Sequence, residues 1–471
     1  MGKKTFRLKT PNTLVIIFII MAVTAALTWI IPGGQFERAV VNGREVVVGD
    51  SYRPVAHVPQ GIGALLVAPI RGFIEAVQII AFIFIVGGAF NVLQNTGALD
   101  AFIKRVVRAQ DKYPFIRKLI IPVFMLIFSF FGSLFGMSEE VLPFVLIFVP
   151  LAVSLGYDSI VGTAIPFVGA AVGFASAFVN PFTLGIAQGI AELPPLSGMG
   201  YRLICWALFT LLAIVFVQLY ANRIKQNPQK SPMFKLDSHW REHIQNNDSQ
   251  SGVSGFSAAH KWILAIFSLS MILLVIGVMQ WGWYINEIAG LFFGMALIVG
   301  LISHLSANQI AERFVAGAKD FMNVAFIIAS ARSILIIASD GQIMDTILYS
   351  VSHIVRGTHA VFAAQLMFLA QSVINVFIPS GSGQAALMMP IMTPLSDIIG
   401  VTRQTAVLAF QMGDGLTNMI IPTSGVTMGV LGLARIPFEK WFVWMLPLMA
   451  VFFIMALLLL IPPVLINWGP N

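Results

Sequence analysis

The feature that most constrains this chain is a series of uninterrupted apolar runs, each about as long as a bilayer is thick. A helix needs roughly 20 mostly apolar residues to cross hydrocarbon. Leu14–Ile31, Phe73–Leu93, Ile204–Tyr220, Trp262–Val278, Ile288–Ile302, Phe321–Ala338 and Trp441–Ile461 are all near that length. They are apolar throughout, whereas the strands of a membrane barrel alternate apolar and polar residues. A soluble reading fails on charge: 10% of the 471 residues are charged and 58% are hydrophobic, against about 25% charged in a soluble chain. The fold class is therefore an all-α integral membrane protein.

Charge between the runs gives an orientation. Lys3, Lys4, Arg7 and Lys9 place the N-terminus in the cytoplasm, because basic residues gather on that side. These lysines resemble the start of a signal peptide, but the apolar run is long and Ile31-Pro32-Gly33-Gly34 is a poor cleavage site, so a retained first helix is expected. The basic stretch 104–118 and residues 223–243 read as cytoplasmic, and Asp340 and Asp345 mark an outside stretch. The net charge of +7 is accounted for by these flanks, and nothing resembles a nucleic-acid-binding module. The single cysteine, Cys205, excludes disulfides and cysteine metal sites within the chain.

The orientation closes only if two apolar regions enter and leave on the same side. These are 119–155, broken at Gly132–Gly136, and 359–400, broken at Pro379–Gly383. Both read as re-entrant helical hairpins, since irregular backbone at membrane depth survives where it is buried or lines a wet cavity. About nine transmembrane helices then remain, in a multi-pass protein of the inner (plasma) membrane. The order of elements repeats: 1–222 and 260–471 are two membrane repeats joined by a cytoplasmic linker, 223–259, with the polar tract Asn246–Gly252. Gly136 and Pro143 correspond to Gly383 and Pro390. Each hairpin is followed by an interrupted helix, at 173–183 and 413–425. By charge the halves run in opposite directions, the inverted-repeat architecture of many secondary transporters.

Broken helices expose N–H groups that favour anions and carbonyls that favour cations. The second tip, Ser380-Gly381-Ser382-Gly383-Gln384, offers hydroxyls and close backbone approach for a carboxylate or an ion; the plainer reading is a serine-capped turn. The first tip holds Ser138, Glu139 and Glu140, where adjacent carboxylates in an apolar segment suggest a cationic group or a proton carrier. The alternative is a helix capped by Ser138, with glutamates complementing its dipole. Asn180 and Asn418, with Thr183, Thr423 and Ser424, supply carbonyl and hydroxyl ligands in the breaks, or simply hydrogen bonds between helices. Asp414 is a further buried acid that carries a coupling ion or forms a salt bridge to Arg332. Ion coupling is assigned to Glu139, Asp414, Asn180, Asn418 and Thr183, with sodium or a proton as the ion and no other cofactor. His304, His353 and His359 are too scattered for a metal site. No phosphate-binding loop or catalytic triad is present, so neither an ATP-driven pump nor an enzyme is expected.

Phe135-Gly136-Met137-Ser138-Glu139-Glu140, Leu155-Gly156-Tyr157-Asp158-Ser159, Asn180-Pro181-Phe182, Ser380–Ala386, Ala409–Gly415 and Pro422-Thr423-Ser424 together resemble the YfcC family of transporters over nearly the whole chain. That family is grouped with C4-dicarboxylate anaerobic carriers in the ion-transporter superfamily. The resemblance implies inverted repeats with two hairpins, a homodimer and an elevator-like motion. Some relatives are arginine/ornithine antiporters and others carry dicarboxylate descriptions. Many relatives have glycine where Ser138 stands.

The residues favour an amino acid, basic ones included. Glu139 and Glu140 suit an ammonium or guanidinium, the Ser/Gly tip suits a carboxylate, and no arginine or lysine lies in either tip. A dicarboxylate carrier is the second reading. A channel would need a continuous pore lined by repeated rings, and a receptor or scaffold would have no use for buried carboxylates and broken helices.

Overall fold

The computed structural model describes residues 13–41, 44–48, 51–99, 101–103, 105, 114–242, 257–355 and 358–469. Lys3, Lys4, Arg7 and Lys9, most of the basic stretch at 104–118 and the Asn246–Gly252 tract lie outside them.

The described chain is helical, apart from two small strand pairs in the first loop. In order, α1 (Thr13–Leu27), α2 (Ile62–Glu75) and α3 (Val77–Gln94) precede α4 (Pro114–Phe135) and α5 (Leu142–Ser154). Then come α6 (Ser159–Ala175), α7 (Leu184–Ile190) and α8 (Met199–Gln226). The second half runs α9 (Ala258–Trp281), α10 (Ile285–Ile302), α11 (Ala307–Lys319), α12 (Met322–Asp340) and α13 (Met344–Val355). It continues with α14 (Ala360–Ile374), α15 (Gly381–Ile399), α16 (Arg403–Thr417), α17 (Gly425–Leu433), α18 (Phe438–Leu459) and α19 (Ile461–Leu465). Among the described residues six helices are long and apolar enough to span a bilayer: Val77–Gln94, Met199–Gln226, Ala258–Val278, Ile285–Ile302, Met322–Asp340 and Phe438–Leu465. Four apolar helices are shorter, among them Leu119–Phe135 and Ala360–Ile374. The protein is thus a multi-pass membrane protein.

Two expected runs differ in detail. Phe73–Leu93 is cut at Ala76, whose backbone (φ −98°, ψ 7°) leaves the helix, so Glu75 and Gln78 lie beside a break rather than within one rod. The first apolar run stops at Leu27, where Thr28 turns its hydroxyl onto the Ala25 carbonyl. In the loop that follows, β1 (Gly34–Gln35) pairs with β4 (Arg53–Pro54) and β2 (Arg38–Val41) with β3 (Arg44–Val47), all antiparallel. This loop is pinned to α13 by Asp345, which accepts from the Phe36 N–H at 2.9 Å and pairs with Arg38 at 3.0 Å.

Short polar side chains start several helices, as N-caps should. Asp158, Thr402 and Ser424 accept the N–H of Val161, Thr405 and Thr427 at the heads of α6, α16 and α17. The packing that follows is reciprocal between the halves. Helices α4 and α5 lie on α6, while α14 and α15 lie on α16; α5 touches α17, and α15 touches α7. Helix α2 packs on α12, α3 packs on α11, and α6 crosses α16. Small residues permit the last crossing: a β-carbon on Gly415 would overlap the Ala175 Cα.

Helices α4 and α5 are antiparallel. Phe124 meets Phe148 with ring centres 4.9 Å apart, and Phe128 meets Phe144 at 5.0 Å, so the contacts close toward a turn at Gly136. The turn between α14 and α15 is tied by Gln384, whose amide donates to the Gln371 carbonyl (2.9 Å) and side chain (2.7 Å).

Candidate functional site

The first turn needs its glycine. Gly136 has φ +74°, and a β-carbon there would come within 2.6 Å of Asn180 Oδ1. Asn180 is fully buried behind this glycine and organises the first break, accepting the N–H of Phe182 at 3.0 Å and of Thr183 at 3.3 Å. Ser133 of α4 fastens the same break: its hydroxyl accepts from Phe178 N at 3.0 Å and its carbonyl from Asn180 N at 3.0 Å. The chain around Asn180-Pro181 therefore leaves the helix without leaving its N–H groups orphaned.

The second break is held in a matching way. Asn375, from the turn after α14, donates to the Asp414 carbonyl at 2.8 Å and to Thr417 Oγ1 at 2.7 Å. Thr427 donates its hydroxyl to the Asn418 carbonyl, and Trp441 donates Nε1 to Met419 O at 2.8 Å. Each break is thus stapled to the neighbouring helix pair.

Both turns and both breaks meet at one cavity of about 510 Å³, within the size range of small-molecule sites. Ser138, Glu139, Glu140, Thr183, Ser380, Gly381, Ser382, Asn418, Thr423 and Ser424 line it. The other candidates stand behind the lining. Asn180 supports Gly136, Gln384 is bonded to Gln371, and Gly383 donates its N–H to Ser380 Oγ in the cap of α15. Asp414 lies behind Gly381, with Oδ1 accepting weakly from Asn418 Nδ2 at 3.4 Å.

The first tip departs from a serine cap. Ser138 makes no capping bond through its side chain; instead the Glu140 carboxylate accepts the Ser138 N–H at 2.9 Å. Glu140 is buried and Glu139 half-buried, and Glu139 Oε1 accepts from the Tyr284 hydroxyl at 3.4 Å. One glutamate is therefore committed to the backbone of the turn, while the other is approached by side chains, the Tyr284 hydroxyl among them.

Among the described residues, the buried side-chain atoms around the breaks without a hydrogen-bond partner include Asp414 Oδ2, Asn418 Oδ1, Thr183 Oγ1 and Thr423 Oγ1, and also Asn180 Nδ2. Buried polar atoms are rarely left this way. The four oxygens among them are the ligand type that hard cations prefer.

The salt bridge between Asp414 and Arg332 does not form. Arg332 pairs instead with Glu75, Nε to Oε2 at 3.0 Å. Arg332, Glu75, Gln78, Trp283 and Tyr284 all line the cavity, and none was a candidate binding residue from sequence. The readable signal was an arginine inside an apolar helix, which is costly enough to suggest a task; its site partners come from α2 and the α9–α10 turn, which no local pattern connects to it. No basic residue lies in either tip, yet one reaches the cavity from α12.

Comparison with known proteins agrees over almost the full length. The profile of the C4-dicarboxylate anaerobic carrier (DcuC) family matches residues 10–464. The Escherichia coli K12 protein named "Putative basic amino acid antiporter YfcC" is 35% identical over 494 aligned positions, covering 97% of this chain and 96% of that protein. An uncharacterized protein of Haemophilus influenzae is 29% identical, covering 98% and 97%. Among solved structures, the YdaH transporter of Alcanivorax borkumensis aligns at a TM-score of 0.41 and 16% identity, covering 98% of this chain and 100% of that one. MtrF of Neisseria gonorrhoeae aligns at 0.42 and 17%, covering 96% and 95%.

Proposed function

The chain belongs to the C4-dicarboxylate anaerobic carrier family of membrane transporters, and from its cavity we infer that it is a secondary active transporter of a small carboxylate-bearing metabolite, specifically an amino acid with a cationic side chain. The observation that carries this reading is the pair Glu139 and Glu140 beside Tyr284, in the same cavity as the N-terminal end of α15 at Ser380–Ser382. Carboxylates and a phenol ring suit an ammonium or guanidinium. A helix N-terminus flanked by serine hydroxyls suits a carboxylate. The name of the E. coli relative points the same way.

Alternating access is the mechanism this arrangement supports. We read residues 1–222 and 260–471 as inverted repeats joined by 223–259, with re-entrant hairpins at 119–155 and 359–400 and a cytoplasmic N-terminus. The reciprocal packing of α4–α7 and α14–α17 supports that reading. In it, the tips at Gly136 and Gly381 end at membrane depth, where only a protein-lined cavity tolerates them. Sodium or a proton is the coupling ion, held near Asp414, Asn418 and Thr183, whose unpartnered oxygens support the assignment. Glu139 is the second candidate proton carrier.

The second reading is a C4-dicarboxylate carrier. It is favoured by the family description and by Arg332 at the cavity wall.

Counterflow in proteoliposomes separates them. Vesicles loaded with unlabelled arginine, ornithine, neutral amino acids or succinate are followed with labelled arginine and labelled succinate. Exchange confined to amino-acid pairs supports the first reading. Exchange confined to succinate replaces it with the second. Flux that neither saturates nor shows trans-stimulation would make the protein a channel.

A further inference from the structure

Helices α2 and α12 are joined by two ion pairs of different character. Arg71 pairs with Asp340 at the end of α12. Glu75 pairs with Arg332 at the middle of α12, inside a stretch apolar enough to span the bilayer. Both helices already approach closely without help from charge, since a β-carbon on Gly72 would overlap the Ala329 carbonyl. A second pin is not needed to hold them. A guanidinium at membrane depth is expensive, so its position calls for a reason beyond packing.

Its bonding supplies one. Glu75 engages Arg332 through Nε alone, at 3.0 Å. Among the described residues, Nη1 and Nη2 make no hydrogen bond. Both Glu75 and Arg332 line the cavity that holds Glu139, Glu140 and the α15 N-terminus. Their side chains are 38% and 37% exposed, so the pair is open to whatever enters. A guanidinium has two edges that can each grip a carboxylate by two parallel N–H bonds. Here Glu75 occupies the Nε side, and the Nη1–Nη2 edge is unclaimed.

We propose that Arg332 is the carboxylate receptor of the cavity, taking the substrate's carboxylate on its Nη1–Nη2 edge, and that Glu75 is a positioning residue that fixes the guanidinium through Nε. This rests on the amino-acid reading for the identity of the ligand, and it names the group that the reading left to a helix end. An α-amino acid with a basic side chain then has a receptor for each end: Arg332 for the carboxylate, Glu139 and Glu140 for the distal cation. A cation lacking the carboxylate would use only the glutamates.

The test uses the purified full-length protein and two ligands differing by that one group, arginine and its decarboxylated analogue agmatine. Binding of each is measured for wild type, Arg332→Gln, Arg332→Lys and Glu75→Gln, with Arg71→Gln as the control that breaks the outer pair. A charge-assisted bond of this kind contributes about 10- to 100-fold in affinity. Arg332→Gln should weaken arginine by that factor and leave agmatine within about threefold. Arg332→Lys keeps the charge and so guards against a folding defect; it should weaken arginine less, because the bidentate geometry is lost. Glu75→Gln should weaken arginine and spare agmatine, and Arg71→Gln should change neither. Equal losses for both ligands, or no loss of arginine in folded Arg332→Gln and Arg332→Lys, overturn the proposal. Should wild type bind succinate and no amino acid, the amino-acid reading fails by itself. Arg332 is then judged on succinate against its monoamide: a selective loss of succinate in Arg332→Gln upholds the receptor, and equal losses overturn it.

Discussion

Asp414 and Gly381 are so close that a β-carbon on Gly381 would come within 2.8 Å of the Asp414 Oδ2 atom, and that oxygen has no hydrogen-bond partner among the described residues. The tip of the second helix pair thus rests on the carboxylate of the second interrupted helix, with Thr183 of the first break against the same glycine. If this carboxylate carries the coupling ion, Asp414→Asn should abolish the dependence of uptake on an imposed sodium or proton gradient while exchange in its absence persists. Gly381→Ala should cut both by about tenfold or more, because the added carbon displaces Asp414 or the tip; overpacking of this kind costs roughly 1–3 kcal/mol. Gradient-driven uptake that is unchanged in Asp414→Asn would remove Asp414 from the coupling site.

The two glutamates of the first tip should separate by substitution. Glu140 takes the Ser138 N–H, so Glu140→Gln keeps an acceptor, whereas Glu140→Ala leaves that N–H without its partner, at a cost of about 1–3 kcal/mol. Thermal melting in detergent should therefore show Glu140→Ala less stable than Glu140→Gln. Arginine binding should fall about tenfold or more in Glu139→Gln, by the same scale of charge-assisted bond, while stability stays near wild type. Unchanged transport in both Glu139→Gln and Glu140→Gln would end the cationic-substrate reading.

What the sequence made visible was local, and what it hid was assembled at a distance. The tip residues Ser138–Glu140 and Ser380–Ser382 announce themselves as glycine- and serine-rich interruptions of apolar runs, and the structure brings both to one cavity. Asn180 and Asp414 were recognisable as polar groups in broken helices, but not as supports standing behind Gly136 and Gly381, because that depends on where two other elements dock. The break at Ala76 carries no glycine or proline of its own, so Phe73–Leu93 reads as one helix. Arg332 was visible as an intramembrane charge, and its nearest acid in the broken helices, Asp414, looked like a partner. The actual partner, Glu75, sits 257 residues away on α2 and is chosen by the α2–α12 packing. Tyr284 lies at the head of α10, outside every motif, and reaches Glu139 only through the tertiary fold.

The crossing of the two interrupted helices makes a stability prediction. Gly415 of α16 meets Ala175 of α6 with no room for a side chain. Gly415→Val should destabilise the protein by more than the roughly 1–3 kcal/mol typical of overpacking, since the obstacle is backbone rather than a mobile side chain. Gly290→Ala on α10, where nothing stands within 4 Å, should be neutral. Comparing the melting temperatures of the two variants in the same detergent checks the point. Equal melting would mean that α6 and α16 can separate without penalty.

The segment following α8 should respond to pH. Residues 228–242 fold back on the head of α6 and the C-terminal end of α8, outside the apolar helices. Asp158 Oδ2 accepts from Ser231 Oγ and from the Tyr220 hydroxyl, both at 2.6 Å, and Asp237 Oδ2 accepts from Ser159 N at 2.9 Å. Burial pushes the Asp237 carboxyl up to about 6 from an ordinary 3.8, with the neighbouring Asp158 charge adding to the rise and Arg241 opposing it. The docked segment therefore binds a proton more tightly than the undocked one. Its stability is fully present below about pH 4 and falls as pH rises through about 6, by no more than about 3 kcal/mol. Hydrogen exchange of 228–242, corrected for intrinsic rates, should show protection declining across that window and level above it. Asp237→Asn retains a carbonyl for the Ser159 N–H but cannot titrate, so its protection should no longer step down near pH 6. A wild-type profile that is flat, or a step that survives in Asp237→Asn, would assign the docking to the Asp158 bonds alone.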